Sequence, residues 1–165
     1  MILSAAIHGE IQYAENPDEM AALIDEVIEN LQPEDPDYQG VSAGEIAALS
    51  FGEQRAQRGL RNLRPDNILL VSVNVRSGFG GLTWHSARKP DGISEYLWLS
   101  DNPSPPEFDP RVVLDPHVPS FFDPKCTFPS ERIREVLEEY CRAGTGDRPE
   151  CISWVRGRIS GKRLD

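Results

Sequence analysis

The segment from Phe128 to Trp154, FPSERIREVLEEYCRAGTGDRPECISW, decides the fold because it contains a complete helix and the strand after it. Ser130 is the predicted N-cap. Four apolar side chains recur at the spacing of one helical stripe: Ile133, Val136, Leu137 and Tyr140. Gly144 and Gly146 supply the helix stop, and residues 151–155 are predicted to form a buried or half-buried strand. The segment therefore predicts a helix that packs on a β-sheet.

The centre of the chain predicts an antiparallel meander. Residues 67–75 alternate in polarity, and one face carries Leu69, Val71, Val73 and Val75. A glycine-rich turn at 77–81 leads into a returning strand at 82–85, and a second turn at 88–92 leads into a third strand at 96–99. The sequence SGFGG is not a phosphate-binding loop, because neither a GK[ST] motif nor a helix follows it.

The N-terminal part predicts a strand over residues 2–13 and then a helix. Asn16 and Pro17 form a helix start, with Glu19 at the capping-box position. The apolar stripe of that helix is Met20, Leu23, Ile24, Val27, Ile28 and Leu31. Residues 42–52 begin with a helix-start pattern but alternate in polarity like a strand at their end, so a helix and a strand both remain possible. The predicted fold class is α+β, with an antiparallel sheet and meander core packed against two main amphipathic helices.

Composition predicts one domain spanning residues 1–165 and a cytoplasmic location. With 39% hydrophobic residues, the chain lacks an apolar run long enough for a membrane span, and its first residues lack a signal-peptide pattern. The three cysteines, Cys126, Cys141 and Cys151, include no CxxC pair. A metal site completed by His8, His85 or His117 is the weaker interpretation, and reduced packing thiols are favoured. We therefore predict no metal and no cofactor.

Charge is distributed unevenly along the chain. Residues 1–54 contain twelve acids and not one Lys or Arg, whereas residues 55–165 contain fifteen acids and seventeen bases. The net charge of −10 therefore arises in the first third. Such a field repels nucleic-acid phosphates and attracts basic protein surfaces. The alternative is a solvated acidic face that only aids solubility. Four arginines spaced by three residues are predicted to pair with the acidic face: Arg55, Arg58, Arg61 and Arg64.

The order of several short motifs resembles a known family. The turn Gly146-Asp147-Arg148-Pro149 follows the second helix, and Trp154 stands three residues after Cys151. The strand at 67–75, the Trp84 strand and the aromatic strand at 95–98 precede them. Over residues 45–156 this order resembles immunity protein family one of bacterial polymorphic toxin systems. The resemblance implies a protein that binds and neutralises a cognate toxin domain, and many such toxins are nucleases or nucleic-acid deaminases.

Charge and resemblance together predict a stoichiometric inhibitor with no catalytic residues. Nucleases and deaminases need basic clefts for phosphate, which an acidic protein can occupy. The predicted contact residues are the acids and aromatics of exposed loops: Glu34, Asp35, Asp37, Tyr38, Glu107, Phe108 and Asp109. Acids of the first helix come next: Asp25, Glu26 and Glu29. These positions follow from charge and loop placement and not from the family motif.

Other functions stay open at this point. A non-enzymatic regulatory module of the DNA-mimic type would use the same acidic surface to attract a different basic protein. A small hydrolase or transferase would use His85 or the pair Asp115 and His117. The motif residues Gly146, Arg148, Pro149 and Trp154 are predicted to serve the fold. Trp84, Trp98 and Trp154 are predicted to lie in the core. Neither membrane nor direct nucleic-acid binding is predicted, and the sequence leaves the oligomeric state open.

Overall fold

The computed structural model describes residues 1–34, 44–57, 65–87 and 97–165, which form ten strands, two α-helices and a short 3-10 helix at Pro124–Cys126. In chain order they are β1 (Ile2–Ile7), β2 (Glu10–Ala14), α1 (Pro17–Asn30), β3 (Ala47–Gly52), β4 (Asn67–Asn74), β5 (Phe79–Ser86), β6 (Leu97–Asp101), β7 (Val113–Asp115), β8 (Ser120–Phe121), β9 (Thr127–Pro129), α2 (Ser130–Ala143) and β10 (Ser153–Arg156). The predicted α+β class is therefore confirmed.

One antiparallel sheet organises the chain. Its strand order is β10-β6-β5-β4-β3-β1-β2, and β9 pairs with the beginning of β5, whereas β7 and β8 form a separate hairpin. The predicted meander is confirmed as β4-β5-β6. The turn between β4 and β5 is shorter than predicted, because β5 already begins at Phe79 and uses the glycines at 80 and 81 as strand residues.

Both helices pack on one face of this sheet and form the main core. The predicted stripes are confirmed, with Leu23, Ile24 and Val27 of α1 and Ile133, Val136, Leu137 and Tyr140 of α2 all buried. They lie against alternate residues of β1, β3 and β4, as expected for a sheet with one face on the helices. The opposite face has a smaller core of Leu97, Leu99, Val112, Phe122 and Cys126.

A buried polar network, the Asn67 hub, joins α2 to the sheet; it comprises Phe51, Asn67, Tyr140 and Gly146. The Asn67 amide exchanges two hydrogen bonds with the Phe51 backbone, accepting at 3.0 Å and donating at 2.8 Å. The Tyr140 hydroxyl donates to Asn67 Oδ1 at 2.7 Å. Gly146 approaches Asn67 so closely that a Cβ there would lie 2.4 Å from the amide. The Gly146 carbonyl accepts from the Trp84 indole at 3.2 Å. The hub thus fixes the turn after α2.

The other motif residues also serve packing, as predicted. The Arg148 guanidinium lies 4.5 Å from the ring centroid of Trp98, and the Trp154 indole donates to the Pro149 carbonyl at 2.6 Å. Trp84 and Trp98 are buried, whereas Trp154 is only half-buried against the main core. The prediction of a core position is therefore confirmed for the first two tryptophans and only in part for the third.

The structure corrects several predicted boundaries. Residues 2–13 form two strands rather than one, because His8 and Gly9 take left-handed backbone conformations, with φ of 54° and 78°, and turn the chain. In the ambiguous segment 42–52, the strand prediction is confirmed by β3 at its end. Residues 42 and 43 lie outside the described residues. Val75 leaves the sheet and is exposed. The last strand begins at Ser153 rather than at 151.

The start of α2 also differs from the prediction. Ser130 is not the N-cap, since it is the first helical residue and Pro129 precedes it without a side-chain cap. The Ser130 N–H instead donates to the Gly78 carbonyl at 2.9 Å, because β9 leads directly into the helix beside the β4–β5 turn. The helix stop is confirmed, with Gly144 in the left-handed conformation. The N-cap of α1 is also confirmed, since Asn16 Oδ1 accepts from the Glu19 N–H.

Candidate partner interface

The two helices form an acidic outer layer. The segments 15–30 and 130–143 together contain ten acids and three arginines, a net charge of −7. The helices lie side by side on the sheet, so their outward faces form one continuous surface. This surface includes the predicted helix acids, and the structure shows which of them are paired.

Arg134 of α2 holds two of those acids. Its guanidinium lies 2.6 Å from an Asp25 oxygen and 3.5 Å from a Glu29 oxygen. Both carboxylates stay more than half exposed, at 57% and 63% of the side chain. Ion pairs of this exposure contribute little to stability. Asp25 and Glu29 therefore remain accessible to a basic partner.

Glu26, the third predicted helix acid, faces the β1–β2 hairpin. It accepts two hydrogen bonds from the Gln12 amide, at 3.2 and 3.3 Å, and lies 3.6 Å from His8 Nε2. The other ring nitrogen of His8 lies 2.9 Å from Glu45. Glu26 is only partly exposed and joins α1 to the sheet, so it is placed as an internal contact more than as a surface acid.

At the C-terminal end of α1 lies the Arg111 cluster, comprising Glu34, Asp109, Arg111 and Phe121. Arg111 donates two hydrogen bonds to Glu34, at 2.5 and 2.6 Å, and its guanidinium lies 4.1 Å from the Phe121 ring centroid. The Arg111 N–H donates to Asp109 Oδ1 at 2.9 Å. The paired guanidinium lowers the pKa of Glu34 below its ordinary value. The cluster therefore keeps a fixed, ionised carboxylate at the surface.

The cluster brings together two segments that are far apart in sequence. Glu34 is followed by the predicted contact residues Asp35, Asp37 and Tyr38, which lie outside the described residues. Phe108 meets the Phe79 ring edge-on, with centroids 5.4 Å apart, yet 54% of the residue is exposed. Glu107 is exposed beside it. Of the predicted loop residues that the structure describes, Glu34 and Asp109 are therefore held together by Arg111.

Sequence reasoning missed the arginines that organise this surface. Arg134 follows the buried residue Ile133 in α2, and Arg111 follows the acid-rich loop, but their partners stand 109 and 77 residues away. The only local signal was the Asp109-Pro110-Arg111 sequence, which places an acceptor two residues before the Arg111 N–H. Arg55, the described member of the arginine series, lies 3.8 Å from Glu15 and stacks on Tyr13, as its predicted pairing requires.

The histidines considered for catalysis lie on the opposite face of the sheet. His85, Asp115 and His117 line one cavity of about 280 Å³ with mainly apolar walls. Asp115 accepts a hydrogen bond from the backbone N–H of His117 at 2.9 Å. That bond closes a turn between the two residues.

The thiols offer no activated nucleophile. All three are free, and burial raises the pKa of Cys126 to about 11 and that of Cys141 to about 12. Burial, followed by the neighbouring Glu139, raises the pKa of Cys151 to about 11. Reactive cysteines require the opposite shift. Within the described ranges, no group of three or more His, Cys, Asp or Glu residues has the geometry of a metal site. None of the described helices is long and apolar enough to span a membrane.

Comparison with known proteins identifies the family. The family model described as Immunity protein Imm1 matches residues 8–156, so the chain belongs to this family. The match begins in the β1–β2 turn and includes α1, well before residue 45, where the short motifs begin. Neither a curated protein nor a solved structure matches the chain significantly.

Proposed function

We propose that this member of the Imm1 family is a stoichiometric inhibitor of a toxin domain that acts on nucleic acid, and that it binds through its acidic helix layer and the Arg111 cluster. Family membership supports the coarser statement, that the protein provides immunity to a toxin. The acidic surface supports the finer one, because an enzyme that holds a phosphate backbone carries a basic cleft.

The observation that carries this proposal is the placement of the charge. The first 54 residues contain no Lys or Arg, and the fold places much of that acidic segment in α1, which carries five acids and no base and packs beside α2. The partner's cationic side chains would meet Asp25 and Glu29, which are mostly exposed, and Glu34, which Arg111 holds in place. Such a field accelerates association by electrostatic steering.

The geometry also supports a binding role without turnover. Pairing with Arg134 and Arg111 fixes acidic side chains before the partner arrives, which reduces the entropy lost on binding. An interface of ordinary size buries about 800 Å² on each partner, and we expect the helix layer and the cluster to provide this area together. Inhibition would then follow from exclusion of the nucleic acid.

The first experiment captures the partner from the native host at low salt and identifies it by mass spectrometry. A partner present in equal amounts, with a basic nuclease or deaminase domain whose activity the chain blocks at a one-to-one ratio, is the expected result. A basic partner without toxic activity would overturn the toxin assignment and favour a DNA-mimic regulator. A toxin that targets lipid or cell wall would retain immunity but contradict the nucleic-acid class.

A second experiment tests the surface. The variant Asp25→Lys/Glu29→Lys should slow association with the captured domain at low salt by about tenfold or more, and high salt should reduce the difference. Glu53→Lys is the control, because Glu53 is an exposed acid beyond the end of β3, outside the helix layer. Equal slowing by both variants, after correction for the number of charges changed, would indicate net charge rather than a defined surface.

A further inference from the structure

An apolar groove opens in the acidic layer at the end away from the Arg111 cluster. It lies between the start of α1 and the end of α2 and has a volume of about 400 Å³. Its lining residues are Pro17, Met20, Ala21, Ile24, Glu138, Cys141 and Arg142. Since α1 rises by about 1.5 Å per residue, the middle of the groove, near Ala21, lies roughly 14 Å along the helix axis from the last residue of α1, Asn30.

The groove combines an apolar floor with an acidic rim. Met20 is half-buried and Ile24 is buried, so their side chains form the floor, while Ala21 is exposed above them. Glu138 and Arg142 border the groove on α2, and Asp18 and Asp25 stand three residues before and four residues after Ala21 on α1, so three acids and one arginine surround the floor. An apolar side chain between cationic neighbours is the group that matches such a site.

Charge also decides between a foreign partner and a second copy of the chain. Two copies that met through this groove would bring together two layers, each with a net charge of −7. Like charges placed opposite each other oppose association. A basic partner gains from the same arrangement, since the rim attracts its cations while the floor accepts an apolar group.

We infer that this groove is the hydrophobic anchor site for the toxin domain, which inserts one apolar side chain flanked by Lys or Arg. The inference rests on the proposed function and adds to it the chemistry of the toxin's contact segment. Binding energy at protein interfaces concentrates in a few side chains that fill small apolar pockets, with charges around them. The groove supplies the pocket, and the helix layer supplies the surrounding charges.

Two adjacent alanines allow a matched test. Ala21 and Ala22 are consecutive exposed residues of α1, but only Ala21 lines the groove. Replacement by Trp has the same intrinsic helix propensity cost at both positions. Ala21→Trp fills the groove, so we expect it to weaken binding of the captured toxin domain by about 30-fold or more in calorimetry. Ala22→Trp adds the same bulk to the helix layer outside the groove, so it should weaken binding by at least about threefold less than Ala21→Trp does.

Each outcome has a distinct meaning. Wild-type affinity for Ala21→Trp, with a correctly folded variant by circular dichroism, would overturn the anchor site and leave the proposed function intact. Equal losses for both variants would show a steric effect of the whole helix and would also overturn it. If sedimentation showed that the free protein is a dimer that Ala21→Trp dissociates, the groove would be a self-contact. Failure to capture any toxin would instead contradict the proposed function itself.

Discussion

The Asn67 hub and the Arg111 cluster are both polar networks that join distant parts of the chain, but one lies in the core and the other in water. Asn67 and Tyr140 are 0% and 1% exposed, whereas half of the Arg111 side chain is exposed. A buried polar group that loses its hydrogen-bond partner stays unsatisfied and destabilises the fold by its full desolvation cost, whereas an exposed group forms a hydrogen bond with water instead. The hub therefore holds the fold together, and the cluster leaves its charges available for a partner.

The largest expected effect tests how tightly the hub is packed. Gly146→Ala should lower the free energy of unfolding by about 3–4 kcal/mol, because the new Cβ collides with the Asn67 side chain at a residue whose φ is 82°. Gly78→Ala is the control, with a φ of 75° and no heavy atom within 4 Å of the added Cβ. It should cost only about 1–2 kcal/mol in urea denaturation. Equal costs would mean that backbone conformation alone, and not the hub, requires glycine.

The next effect concerns Trp154, which packs against the main core and bonds to the turn after α2. Replacing a fully buried tryptophan by alanine would lower the free energy of unfolding by about 3–5 kcal/mol, but Trp154 is only half-buried. Trp154→Ala should therefore cost about 2 kcal/mol, from lost packing and from the lost hydrogen bond to the Pro149 carbonyl. Thermal unfolding checks this value. An unchanged melting temperature would remove Trp154 from the structural role assigned to the motif.

Removing one tyrosine hydroxyl at a time compares the stability contributed by a buried hydrogen bond with that of a partly buried one. Tyr140→Phe removes the donor to Asn67 and should cost about 1–2 kcal/mol. Tyr13→Phe removes a hydroxyl that donates to the Ala56 carbonyl at 2.9 Å in a partly buried site, and should cost about 0.5 kcal/mol. Urea denaturation of both variants provides the comparison. A larger loss for Tyr13→Phe would contradict the special importance of the hub.

The smallest effect on stability should come from the Arg111 cluster. Arg111 lowers the pKa of Glu34 from its ordinary value of 4.5, so the ion pair stabilises the fold above that pH. The contribution is lost as the pH falls through the lowered pKa of the folded state. Glu34→Gln should therefore cost at most about 1 kcal/mol at pH 7, and the difference from the unchanged protein should shrink in acid.

Glu107→Gln is the matched control for that measurement, because Glu107 is exposed nearby and makes no hydrogen bond to another described residue. It should leave the free energy of unfolding unchanged at either pH. A loss of several kcal/mol for Glu34→Gln would place the cluster with the hub as a structural element. The surface proposed for partner binding would then need another location.

Local sequence patterns predicted the helices and the meander but not every turn. The stripes of α1 and α2 were recognisable because burial of one helix face repeats every three to four residues. The hairpin at the N-terminus was missed because the polar and apolar residues of 2–13 alternate poorly, although His8-Gly9 was a turn signal. The Ser130 cap was wrong because a neighbouring turn takes its N–H, which no pattern within the helix reveals.

The sequence predicted which types of residue form the candidate interface but not how those residues are paired in the fold. Acidity of the first third and exposure of Phe108 were readable from the sequence. The pairing of Asp25 with Arg134 and of Glu34 with Arg111 was not, because each joins residues more than 70 positions apart. The sequence did not separate Asp25, Glu26 and Glu29 from one another, whereas in the fold Glu26 faces the sheet and Asp25 faces solvent.

By itself, the sequence determined the fold class, the family resemblance and the sign of the surface charge, because periodicity, motif order and acid count are local or additive properties. Only the tertiary structure decided that Gly146 packs against the buried Asn67 and that Arg111 pairs with Glu34. It also decided that an apolar groove interrupts the acidic layer. These features depend on close approach between distant segments, which arises only when the helices pack on the sheet.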